Sequence, residues 1–152
     1  MMKNQPFHKR MAFALQGIRA AICLESSFRL QCLAALIVVA VLVYSRPAFI
    51  WWALLLMNCG MVLAAELFNT ALEHLIDHMH PALHPSIKIA KDCAAGAVLI
   101  LSISAVGVFV AFLVETTSTS TKKSTAQITM SLVAREISVF NSSVADSARR
   151  IA

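Results

Sequence analysis

Glycine occupies only four of the 152 positions, and no Gly-x-x-x-x-Gly-Lys segment occurs. A phosphate cradle of the usual nucleotide-binding kind is therefore excluded, and any nucleotide must be held by metal and side chains. Cysteine is limited to Cys23, Cys32, Cys59 and Cys93, with no C-x-x-C pair and no Cys/His ligand spacing, which leaves these residues as small apolar fillers. Charge is sparse as well: 14% of residues are charged, whereas 59% are hydrophobic and the mean hydropathy is +0.74. No ordinary water-soluble domain needs that much apolar side chain, so the composition predicts an all-α integral membrane protein.

About 20 apolar residues cross the hydrocarbon of a bilayer. Three runs reach that scale: residues 28 to 45, 48 to 65 and 93 to 114. The third carries no charge from Cys93 to Val114, and the first is interrupted early by Arg29 and Gln31. The first long apolar run starts too late, and without a small-residue cleavage site, for a cleaved signal peptide. Lys3, Lys9, Arg10, Arg19 and Arg29 precede or open the first span, and Lys88 and Lys91 lie between the second and third. By the positive-inside rule, the N-terminus and the 78 to 91 loop face the cytoplasm. The net charge of +5 then reads as attraction to anionic headgroups, with nothing to suggest nucleic acid.

Ahead of the spans, Phe7, Met11, Ala14, Leu15, Ile18 and Ile22 fall near one helical face, with Lys9, Arg10, Gln16 and Arg19 largely off it. The pattern predicts an amphipathic helix on the membrane surface, the competing reading being a soluble helix packed on a partner. Ser45-Arg46-Pro47 predicts a tight turn, and Trp51 and Trp52 follow as interfacial anchors. Pro81 and Pro85 punctuate the loop after the second span, and the third helix is expected to open near Ile87. Residues 116 to 125 are eight Ser/Thr and two Lys, a composition that reads as a linker. Beyond it, Val133, Ile137, Phe140, Val144, Ala148 and Ile151 recur at helical spacing, which fits either a second surface helix or a largely disordered tail. The expected organisation is 1–27 surface helix, 28–115 transmembrane core, and 116–152 linker with a C-terminal helix.

The second span runs into Glu66-Leu67-Phe68-Asn69-Thr70-Ala71-Leu72-Glu73-His74-Leu75-Ile76-Asp77. At 100° per residue, Glu73 and Asp77 fall within about 20° of Glu66, and Asn69 about 60° away. Ionisable groups at membrane depth cost roughly 2.5 to 3.5 kcal/mol each on insertion, so such a stripe marks a functional site. From a start near Ala48, Glu66 lies about 27 Å along the helix, at the far boundary of the bilayer, where a soluble nucleotide meets a lipid headgroup. Glu25 and the Lys91-Asp92 pair can join the stripe from neighbouring helix ends. Gathered carboxylates repel unless a cation neutralises them or one takes a proton, and magnesium, which accepts one or two carboxylates plus water and phosphates, is the natural ion. Phosphoryl transfer asks for a metal, a cation near the phosphates and a base, and all three residue types are present. Each acid also has a plainer reading: Glu25 as a solvated charge, Glu66 and Glu73 as helix–helix contacts, Asp92 as a helix N-terminal charge.

At these residues the chain resembles the prokaryotic diacylglycerol kinase family, small three-helix membrane lipid kinases that include undecaprenol kinases. The likeness rests on Gly17-Ile18-Arg19-Ala20-Ala21 with Glu25, on the 66–77 stretch, and on Ala90-Lys91-Asp92 with Ala94-Ala95-Gly96-Ala97-Val98, without gaps from about residue 7 to 114. The resemblance implies a homotrimer with active sites between subunits, in the inner membrane of a bacterial cell. It implies that Glu66 takes the proton from the lipid hydroxyl and that Asn69 orients groups beside it. It further implies that Glu25 and Glu73 hold Mg2+ and bind ATP, that Lys91 and Asp92 contact ATP, and that Arg19 meets the lipid substrate. Phe13 stands where diacylglycerol-directed members often have tyrosine, and Ala95 where they have serine. The 84–98 stretch is more similar to the undecaprenol-kinase branch. No counterpart is recognised from residue 116 onward.

The expected function is thus an ATP- and magnesium-dependent lipid kinase acting on diacylglycerol or undecaprenol. A small oligomeric ion or metal transporter could use the same acidic stripe, but it leaves the Lys91-Asp92 pair and the surface helix without a role. A purely structural subunit would require Glu66 and Glu73 to be dispensable together.

Overall fold

Four helices follow one another in a computed structural model that describes residues 5–79 and 85–151, apart from the side chains of 140 and 142–151. Lys3 and Pro81, and the side chains of Phe140, Val144, Ala148 and Ile151, lie outside the described residues. The helices are α1 (Phe7–Leu24), α2 (Ser26–Ser45), α3 (Phe49–Met79) and α4 (Pro85–Ile151), and no strand occurs among the described residues. Three are long and apolar enough to cross a membrane: Ser26–Ser45, Phe49–Met79 and a segment of α4, Pro85–Val139. The chain divides into two units, residues 1–110 and 111–152.

In the first unit, α1 and α2 meet at a corner made by one residue. Glu25 leaves the helical region (φ −105°, ψ 120°), donating its N–H to Ala21 O at 2.9 Å as α1 ends and accepting from the Arg29 N–H at 3.3 Å as α2 begins. The Arg29 guanidinium caps the corner, donating to the carbonyls of Ile22 and Cys23, both at 3.2 Å. Those carbonyls end a helix and lack intrahelical donors, so a cation there satisfies them and opposes the helix dipole. The residue that interrupts the apolar run thus ties the start of α2 to the end of α1.

The turn between α2 and α3 is tight, as Ser45-Arg46-Pro47 leads one to expect. Arg46 adopts the left-handed conformation (φ 45°, ψ 55°) and returns its N–H to Leu42 O at 3.0 Å. Pro47 then prevents α2 from continuing. With 31 residues, α3 extends about 46 Å, longer than the roughly 30 Å of hydrocarbon, so its polar C-terminal third is free to leave the apolar layer.

Packing is densest between α2 and α3. Phe28, Leu42, Leu55 and Val62 are buried, as are the polar Glu66 and Thr70. Few other apolar side chains are covered: Leu36, Ile37, Val43, Ile50, Leu99, Ile100 and Ile103 all stay exposed. Lipid chains suit such a surface, because between helices in a bilayer shape fit and hydrogen bonds, rather than escape from water, drive association.

The second unit is helical. Residues 116–125, which composition presents as a linker, belong to α4. Thr119, Thr121 and Thr125 donate to the carbonyls of Glu115, Thr117 and Thr121 at 2.9 to 3.1 Å. Hydroxyls that bond back to the preceding turn satisfy themselves within the helix, so a Ser/Thr-rich stretch need not break it.

Candidate active site

Glu66 lies on the face of α3 that meets the first turns of α2, and only 3% of it is exposed. The Ser27 hydroxyl donates to its Oε1, and Gln31 Nε2 approaches its Oε2 at 3.4 Å. Ser27 and Gln31 stand four residues apart on one face of α2, so both reach the same acid. No cation pairs with Glu66 among the described residues. A carboxylate offers about four lone-pair positions, so two neutral donors leave acceptor capacity unused.

One turn further, Asn69 Nδ2 donates to Glu73 Oε1 at 3.0 Å, and Asn69 Oδ1 is buried without a hydrogen-bond partner. Gln31 Oε1 is buried and unpartnered in the same way. Carboxylates only accept, so each amide must turn its N–H₂ to an acid and its oxygen away. Two orphan carbonyl oxygens therefore flank the acidic stripe. Buried acceptors left unmet are uncommon, and an ordered water or a bound group is one way of meeting them.

At the corner, Glu25 Oε1 lies 3.5 Å from His74 Nε2, which brings α1, α2 and α3 together beside Glu73. Lys91 on α4 donates to both oxygens of Asp77 on α3, at 2.9 and 3.1 Å, and Lys88 bonds Asp92 at 2.6 Å within α4. Lys91 and Asp92 therefore have separate partners, as adjacent residues 100° apart on a helix do. Arg19 is exposed on α1 and has no ion pair among the described residues.

Of the residues expected from sequence, Asn69 meets Glu73, Glu25 meets His74 and Lys91 meets Asp77 around the C-terminal half of α3, whereas Asp92 and Arg19 join none of these contacts. Glu66 forms a fourth with Ser27 and Gln31, two residues the sequence had not singled out as site residues. A polar i, i+4 pair in the opening turns of an apolar span was the available signal.

Two hollows adjoin these groups. A groove of about 360 Å3 separates α1 from α3, lined by Ala14, Gly17, Ala21, Leu67, Ala71 and His74. A cavity of about 490 Å3 lies among α2, α3 and α4, where Gln31, Asn58 and Ser102 interrupt a wall of aliphatic side chains.

Among the described residues no cluster of three or more His, Cys, Asp or Glu forms a protein-built metal cage. Glu25 and Glu73 offer hard carboxylate oxygens, and the unmet Asn69 Oδ1 is suited to accept from a metal-bound water. By ligand chemistry such oxygens suit magnesium, which needs only one or two carboxylates when phosphates and water supply the rest.

An all-helical membrane protein with a buried, cation-free carboxylate beside further acids and a lysine has the parts of a membrane phosphotransferase. The sequence pattern of prokaryotic diacylglycerol kinases matches residues 12–113. The chain is 33% identical over 92 residues to a diacylglycerol kinase of Helicobacter pylori, covering 60% of this chain and 72% of that protein. Over 97 residues it is 33% identical to an undecaprenol kinase of Bacillus subtilis, 64% and 79% being covered. A diacylglycerol kinase of Escherichia coli is 32% identical over 98 residues, with 64% and 80% covered. The chain belongs to the prokaryotic diacylglycerol kinase family and is a lipid kinase.

Proposed function

We propose that this lipid kinase uses ATP with Mg2+ to phosphorylate the hydroxyl of a membrane lipid at the cytoplasmic face of the bacterial inner membrane. The product is phosphatidate from diacylglycerol or undecaprenyl phosphate from undecaprenol. The observation that carries the reading is Glu66, an acid buried between α2 and α3 whose donors among the described residues are both neutral. Left without a cation and with lone pairs to spare, it suits a base that accepts the lipid hydroxyl proton while the lipid oxygen attacks.

Around it, Asn69 orients Glu73 through its amide, and Glu25 and Glu73 hold the metal and the nucleotide. Bound there, Mg2+ would offset charge on the phosphates. Lys91 and Asp92 contact ATP, and Lys91 is able to exchange Asp77 for a phosphate oxygen because it is a flexible point charge with three donors. Arg19 meets the lipid headgroup from α1. Catalysis comes from positioning two substrates across a phase boundary and from electrostatic stabilisation of the transferring group.

Family membership supports assembly with further copies of the chain, as a homotrimer whose active sites lie between subunits. The test is turnover of the purified protein with labelled ATP in mixed micelles carrying diacylglycerol or undecaprenol. Magnesium-dependent label in either lipid is expected. Failure with both, alongside ATP-independent ion flux in proteoliposomes, would overturn the reading.

A further inference from the structure

The two oxygens of Glu66 are not equivalent. Among the described residues Oε1 accepts the Ser27 hydroxyl, whereas Oε2 faces only the Gln31 amide at 3.4 Å, near the outer limit for a hydrogen bond. Ser27 stands in the first turn of α2, directly after the corner that Glu25 forms and Arg29 caps, and its neighbour Phe28 is 2% exposed. A hydroxyl carried by so constrained a turn has little freedom to follow the carboxylate, so the carboxylate is held to the hydroxyl. The Ser27 contact thus falls on Oε1, and the longer Gln31 contact leaves Oε2 the less engaged of the two oxygens.

We infer that Ser27 is a positioning residue for phosphoryl transfer, pinning Oε1 of Glu66 so that Oε2 is the oxygen that takes the proton. The inference rests on Glu66 being the base. In the step it supports, the lipid O–H bond breaks and its proton passes to Oε2. The lipid oxygen forms a bond to the γ-phosphorus of ATP, the bond from that phosphorus to the β,γ-bridging oxygen breaks, and ADP leaves with the electron pair. Ser27 touches neither substrate. Its hydrogen bond to the carboxylate is charge-assisted, the stronger kind, and it acts by keeping one rotamer of Glu66 in place.

Ser27→Thr and Ser27→Val test this, because the two side chains share a shape and differ in the hydroxyl. Ser27→Thr is expected to keep kcat within about twofold of the parent, and Ser27→Val to lower it about tenfold or more, with KM for ATP and for lipid unchanged in both. Ser27→Ala, smaller than either, repeats the deletion without added bulk and should match Ser27→Val. Equal kcat for the Thr and Val variants would overturn the inference, as would a raised KM at unchanged kcat. Glu66→Gln in the same assay separates the two claims. If it turns over normally, the base assignment fails. If it is inactive while the Thr and Val variants agree, only the role of Ser27 fails.

Discussion

Lys91 on α4 holds both carboxylate oxygens of Asp77 on α3, at 2.9 and 3.1 Å, and this pair joins the end of one helix to the start of the next. The lysine side chain is one-third exposed and the aspartate two-thirds, so water screens the pair and it adds little to stability. Its larger consequence is for nucleotide binding, since the ammonium that meets Asp77 is the one proposed to meet ATP. Lys91→Ala should raise KM for ATP about tenfold or more. Asp77→Asn, which releases the lysine, should leave that KM within a fewfold of the parent. ATP titrations of both variants check the contrast.

Asn69 donates to Glu73 and keeps a buried, unmet carbonyl oxygen beside it. With Glu73 as a metal-holding acid, Glu73→Gln should raise the magnesium concentration for half-maximal turnover by about tenfold or more, and Glu25→Gln should do the same. Asn69→Ala should lower kcat, by roughly 10- to 100-fold, because it frees the Glu73 side chain and removes an acceptor. Metal titrations at saturating ATP and lipid distinguish the two effects.

Phe28 is buried in the first turn of α2, next in sequence to the residue that holds Glu66. In a soluble core, Phe→Ala costs about 3–5 kcal/mol through lost transfer energy and a cavity. Here the transfer term is small, because lipid is as apolar as the packed helices, so the loss should be below that range. Phe28→Ala should therefore lower the thermal midpoint in micelles modestly and kcat more than stability, since the cavity opens next to Ser27. Parallel unfolding and turnover measurements test the order.

The spans and the acidic stripe were legible because each depends on spacing along one helix: 20 residues for a bilayer, and every third or fourth residue for a face. What joins helices was not. The Ser27–Glu66 contact links residues 39 apart, and the Ser27/Gln31 spacing signals a polar face of α2 without naming the residue that meets it. Arg29 looked like an interruption of a span, yet it caps α1, because the bare carbonyls it satisfies exist only once the helix has ended. Lys91 and Asp92 read as one unit in sequence and take separate partners in space. Residues 116–125 misled through composition: Ser and Thr lower helix propensity on average, but hydroxyls that bond the preceding turn let α4 continue.

The family match ends at residue 113, and the acids, the lysine and the two orphan amides all precede it. A chain ended after residue 115 should retain full turnover per molecule. Specific activity of the shortened protein in mixed micelles, with its oligomeric size measured alongside, checks this.

Glu66→Gln bears most directly on the central claim. The substitution keeps size and can still accept from Ser27, but it removes the group that takes a proton. Transfer of labelled γ-phosphate to lipid should fall by at least about a thousandfold while the protein keeps its helicity and assembly. Wild-type transfer by a folded Glu66→Gln variant would contradict the account.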